Sequence, residues 1–149
     1  MPRIEFDLTT GVAPDRFVAA LTDFSPARAD LWPNVDAQHL RVHKIGADWA
    51  EVTEGSSLAG GVWERNHYDW STAGTVRVET IESNTWRPGS SWQYRIEPAG
   101  TGSHIRVTVD RRPATLRGRL LGLLLMVAGR RALRGATEQV LHKLDHPTA

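Results

Sequence analysis

Between Gln38 and Asp110 the chain runs through six short β-rich segments, each closed by turn-forming residues, and this spacing constrains the architecture more than any other feature. Residues 39–45 end at Gly46-Ala47-Asp48, residues 49–54 at Gly55-Ser56-Ser57, and residues 62–70 at Ser71-Thr72-Ala73-Gly74. Residues 75–81 end before Asn84, residues 91–97 at Pro98-Ala99-Gly100-Thr101-Gly102, and residues 104–110 before Pro113. Connections this short make an antiparallel meander the economical arrangement.

The flanks complete the pattern. Ile4, Phe6 and Leu8 alternate with Glu5, Asp7 and Thr9, the period of a strand with one buried face. Pro14 opens a helix to about residue 22, on which Phe17, Val18 and Leu21 recur at helical spacing. Ser25-Pro26 starts a second short helix through Leu31, ended by Pro33. After Pro113 the pattern is helical to about Leu144, with Leu133, Ala136, Val140 and Leu144 forming one apolar stripe. Residues 120–128 are apolar all round. They fall far short of the ~20 residues that a membrane-crossing helix needs, so they are expected to be a core helix covered on more than one side. Gly118 and Gly122 share a helical face and permit close approach, or leave a void beneath the helix.

The expected fold is therefore α+β: a seven-stranded curved antiparallel sheet wrapped around a C-terminal helix some ~45 Å long, with two short helices after the first strand. At 149 residues, 40% hydrophobic and 23% charged, the chain is expected to form one domain over residues 1–149. A curved sheet gripping one helix tends to leave a cavity between them.

Several chemistries are absent from the sequence. With no Cys there is no disulfide, thiolate nucleophile or Cys-ligated metal. His39 and His43 lie roughly 13 Å apart on a strand, and His142 and His146 lack an evident third ligand, so neither a metal nor a cofactor is expected. No phosphate-cradling glycine loop, zinc-protease or nucleophile-elbow motif occurs. The first residues lack the apolar core of a secretion signal, and a cytoplasmic location is expected. The net charge of +1 conceals +7 over residues 111–143 against −6 elsewhere. That basic segment suits an anionic surface or partner, but without interleaved aromatics no nucleic acid is expected.

Trp63-Glu64-Arg65 with Tyr68-Asp69-Trp70-Ser71, then Ser83-Asn84 with Trp86, then Gly89-Ser90-Ser91-Trp92 leading to Tyr94 carry a family likeness. So do Arg111-Arg112 and the stretch Gly118-Arg119-Leu120-Leu121-Gly122. With the element order, they resemble the START-like, birch-pollen-allergen-like helix-grip (SRPBCC) superfamily, and within it the bacterial polyketide cyclase/dehydrase-like proteins. The resemblance implies a hydrophobic pocket under the long helix and a bound lipid or polyketide-like molecule. It leaves open whether the pocket is passive or is a cyclase/dehydratase-type active site.

Six Trp beside three Phe and two Tyr suit an aromatic pocket, because each indole N–H wants a partner; the alternative for any one of them is core filler or an exposed face of a large curved sheet. On residues 91–97, Trp92, Tyr94 and Ile96 share the inward face. On residues 62–70 the face holding Val62, Glu64, Asn66, Tyr68 and Trp70 carries fewer charges than its opposite and is taken as inward. The candidate ligand contacts from the strands are Glu64, Tyr68, Trp70, Trp92 and Tyr94. Trp32, Gly122 and Met126 join them from the helical segments. Glu64 and Tyr68 are also the candidate catalytic groups, Glu64 as a general acid or base if unpaired. The alternatives for Glu64 are an ion pair with an arginine such as Arg77, or a water-facing position at a strand end. A further alternative function is docking of a membrane or protein through residues 120–128; a homodimer also stays open.

Overall fold

A computed structural model describes residues 3–57 and 61–146. Strand β1 (Arg3–Thr10) is followed by helices α1 (Pro14–Leu21) and α2 (Ala27–Leu31) and a 3-10 turn at Ala37–His39. Then come β2 (Arg41–Ile45), β3 (Trp49–Ser56), β4 (Val62–Asp69), β5 (Thr75–Ser83), β6 (Ser91–Ala99) and β7 (Gly102–Asp110). The chain closes with α3 (Leu116–Leu124), a π-helical turn (Leu125–Gly129) and α4 (Arg130–Asp145). Backbone angles stay helical through both junctions, so α3, the π-turn and α4 form one rod.

All seven strands form one antiparallel sheet in the order β1-β7-β6-β5-β4-β3-β2. The two short helices carry the chain from the β1 edge to the β2 edge, after which each strand pairs with the next. The strands alternate as their sequences require: Ile4, Phe6 and Leu8 are buried, and Glu5 and Asp7 exposed. Ile105, Val107 and Val109 form the buried row of β7. Phe17 and Leu21 of α1 and Val140 and Leu141 of α4 close the core from the other side.

The rod does not sit evenly on the sheet. The π-turn and α4 pack on β1, where Gly129 permits close approach: a Cβ there would lie 2.7 Å from Ile4 Cδ1, which would have to shift. Segment α3 instead begins over the β5–β6 connection, capped by Thr115 Oγ1, which accepts from Gly118 N at 2.9 Å. Only its inner face is covered. Leu116, Leu120, Leu123 and Leu124 of α3, and Met126 and Val127 on the outer side of the π-turn, are exposed, against the expectation of a core segment covered on more than one side. Uniform apolarity indicated burial, but α3 has a sheet on one side and nothing among the described residues on the other.

Candidate functional site

A cavity of about 460 Å³ lies between the concave sheet face, α2 and the terminal rod. Strand alternation supplies its wall: Val62, Glu64, Asn66 and Tyr68 from β4, Trp92 and Tyr94 from β6, and Val109 from β7. Glu54 enters from β3, on the same face as the buried Ala50 and Val52. Arg28 and Trp32 enter from α2 and the residue after it. Leu121, Leu125, Leu133 and Ala136 form the roof. Asn34, Leu124, Ala128 and Ala132 line the cavity and are also exposed, which puts its opening beside the rod.

A hydrogen-bonded band crosses this apolar space. The Arg28 guanidinium, 4% exposed, donates from Nε to Glu54 Oε1 at 2.5 Å and from Nη2 to Tyr68 Oη at 2.9 Å. Its Nη1 donates to the Leu21 and Asp23 carbonyls at 3.0 and 3.1 Å. Tyr68 Oη donates in turn to Glu54 Oε2. Arg111, 5% exposed, pairs with Glu64 through Nη2 and donates from Nη1 to Thr80 Oγ1 at 3.2 Å. Asn66 joins the two halves: its Nδ2 lies 3.5 Å from Glu54 Oε2 and 3.3 Å from Glu64 Oε2, and its Oδ1 accepts from Thr80 Oγ1 at 3.2 Å. Both cations are also packed on aromatic rings. Arg111 lies 5.2 Å from the centroids of both Trp86 and Trp92, and Arg28 faces Phe24, Trp32 and Tyr68.

Two buried cations and two largely buried carboxylates cancel, and no other charged side chain among the described residues lines the cavity. Burial drives the Tyr68 phenol well above its ordinary range, and the neighbouring Glu54 adds to this while Arg28 opposes it. Tyr68 therefore stays protonated and donates. Burial likewise raises Tyr94. For Arg28 burial works against the charge, but Tyr68 and Glu54 outweigh it and the guanidinium is held firmly cationic.

Of the residues singled out from the sequence, Trp32, Glu64, Tyr68, Trp92 and Tyr94 come together on the cavity wall. Trp70, Gly122 and Met126 do not. Trp70 lies past the end of β4 and packs on Phe24, with ring centroids 6.3 Å apart. Gly122 is buried without a side chain to offer, and Met126 points outward at 64% exposure. The partner of Glu64 is Arg111 and not Arg77, which alternates with the inward Val76 and Val78 and faces Gln93 outside. Arg28, Glu54, Asn66, Trp86 and Arg111 were not selected. Alternation continued past Val52 finds Glu54, and continued past Val109 it finds Arg111. Nothing local marks Arg28.

No protein-family model and no curated protein matches the chain. Solved structures do. The chain is similar over 98% of its length to a START superfamily protein from Mycobacterium smegmatis, with TM-score 0.79, 8% identity and 99% of that chain covered. It is similar over 96% to the Zhui aromatase/cyclase from Streptomyces sp. R1128, with TM-score 0.77, 15% identity and 93% of that chain covered. This is the START-like helix-grip fold. A protein from Thermus thermophilus shares it across 99% of this chain and 100% of its own, with TM-score 0.78 and 14% identity. At such identities the likeness establishes the helix-grip architecture, and the chemistry has to be argued from the side chains.

Proposed function

We propose that this chain is a single START-like unit that holds an uncharged, largely apolar small molecule, lipid or polyketide-like, with its oxygen-bearing end against the Glu54–Asn66–Glu64 band. The observation that carries this reading is the balance of charge. Arg28 and Arg111 already have carboxylate partners, so an anionic head would add an uncompensated charge to a desolvated site. A ligand hydroxyl donates to these carboxylates, and a ligand carbonyl accepts from Asn66 Nδ2 or a remaining guanidinium N–H, at no such cost. Trp32, Trp86 and Trp92 supply flat apolar surface for the body of the ligand.

A long-chain methyl ketone and a carboxylate of equal length, titrated against Trp fluorescence, test the reading. The ketone is expected to bind in the micromolar range and the carboxylate at least about ten-fold more weakly, the size of one lost charge-balancing interaction. Equal affinities would remove the neutral-head assignment. No binding by either, with Trp92→Ala unchanged, would remove the ligand-binding reading itself.

A cyclase-type reaction is the second reading, favoured by one feature: a protonated phenol held against a carboxylate inside the cavity. In it Tyr68 turns its O–H to hydrogen-bond a substrate carbonyl, Glu54 takes the α-carbon proton as the enolate forms and returns it to the aldol oxygen, and Glu64, tied to Arg111, serves the framework. Tyr68→Phe would then abolish turnover of a poly-β-ketone substrate with ligand affinity within a few-fold. Unchanged turnover leaves the passive pocket.

A further inference from the structure

We infer that the exposed ridge of α3 and the π-turn docks this protein on an anionic lipid surface. Leu116, Leu120, Leu123 and Val127 recur at the spacing of one helical face, and their exposures are 82%, 62%, 61% and 88%. Leu124 and Met126, at 58% and 64%, widen the ridge on either side. Large side chains in a continuous exposed row mark an interaction surface, whereas isolated exposed apolar residues are ordinary.

The charge around the ridge selects the occupant. Residues 113–137 hold five arginines and no Asp or Glu. Arg119, Arg130 and Arg131 are exposed, while Arg134 is taken by Glu138 at 2.9 Å. An apolar face edged by arginine is the pattern of a helix lying in the interface of an anionic bilayer. A second copy fits poorly, because two-fold pairing on the ridge sets arginine beside arginine with no acid in the stretch to receive it. The helix lies on the membrane and does not cross it: no helix among the described residues is long and apolar enough to do so.

The docked face adjoins the cavity opening. Leu124 belongs to both, and Ala128 lines the cavity one turn on. On the ligand-binding reading above, a lipophilic molecule passes between bilayer and cavity beside Leu124 without crossing bulk water. Docking itself does not depend on that reading.

Sedimentation with vesicles separates the cases. The whole chain is expected to pellet with equal parts phosphatidylglycerol and phosphatidylcholine, to be released by high salt, and to stay in solution with phosphatidylcholine alone. Val127→Glu is expected to lower the partition coefficient about ten-fold or more, the worth of one buried aliphatic side chain. Arg130→Gln and Arg131→Gln should each lower it about five-fold. All three positions face solvent, and an unchanged melting temperature shows that each variant is folded. No pelleting with the anionic vesicles overturns the proposal, as does pelleting that Val127→Glu leaves intact. Concentration-dependent dimerisation that Val127→Glu abolishes, without vesicle binding, also overturns it and assigns the ridge to a second copy.

Discussion

Val140 on α4 is wholly buried, whereas Val127 on the same rod is 88% exposed. The two regions differ both in charge content and in what stands behind them. Segment α4 carries charges on one side and an apolar stripe on the other, and the stripe meets β1 and α1 in a dry core. Residues 120–128 are apolar all round but have the cavity, with the sheet beyond it, on one side and solvent on the other. Apolarity gives a segment the capacity to be buried. Whether it is buried depends on whether another element reaches it.

The largest effect that would break the comparison is expected at Val140. Val140→Asp places a carboxylate in the core without a partner and should cost about 5 kcal/mol or more, enough to unfold a chain of ordinary stability. A soluble variant with an unshifted urea midpoint would show that α4 is not the packed half.

Next comes the cavity wall. Glu64→Gln leaves Arg111 buried without its counterion, and a loss of about 3 kcal/mol in chemical denaturation is expected. A loss under about 1 kcal/mol is the outcome for a solvated pair and would mean that water reaches this end of the site.

An alkaline titration reports on the same cavity wall. The chain has two tyrosines, both buried, and burial raises both. Each folded phenol keeps a proton that the unfolded chain gives up near pH ~10. The stability they carry is therefore complete below that value and falls as pH rises above it. Phenolate absorbance should be missing from the native protein near pH ~10 and appear together with unfolding. A tyrosine that titrates in the native state would mean that the cavity is wet.

The smallest effect is expected at Leu123. Leu123→Ser removes a side chain that faces solvent, and stability should stay within about 0.5 kcal/mol. A loss of about 2 kcal/mol or more, the cost of a core truncation, would show that something covers the ridge.

The fold was legible because its signals are local. Alternation and turn residues mark each strand of the sheet, and the described bounds differ from the sequence reading by a few residues at most. Those shifts have causes: β3 runs on to Ser56 because Gly55 and Ser56 pair with Trp63 and Val62, and β5 reaches Ser83 past a bulge at Arg65–Asn66. The site was legible only in part. Trp92, Tyr94, Glu64 and Tyr68 follow from strand parity, which is also local. Arg28 is different. It sits on a five-residue helix whose sequence gives no reason to bury a guanidinium, and its partners lie up to 40 positions away. Ionic groups read as surface until the opposite charges that hold them are known. The exposed ridge failed for the converse reason, since a run of leucines carries no record of which neighbours are missing.

The π-turn at Leu125–Gly129 acts as a phase correction within the rod. Along an ideal helix each residue advances about 100°, so one extra residue in a turn rotates everything after it by about a quarter of a circle. Continued without that shift, the row of Leu133, Thr137, Val140 and Leu144 would point about a quarter-turn away from the inner face marked by Gly118, Leu121 and Leu125. With it, both halves aim the same side at the sheet. Removing a single residue from this turn would leave every side chain chemically unaltered yet swing the α4 row off β1, which makes the count of residues here as binding a constraint as their identity.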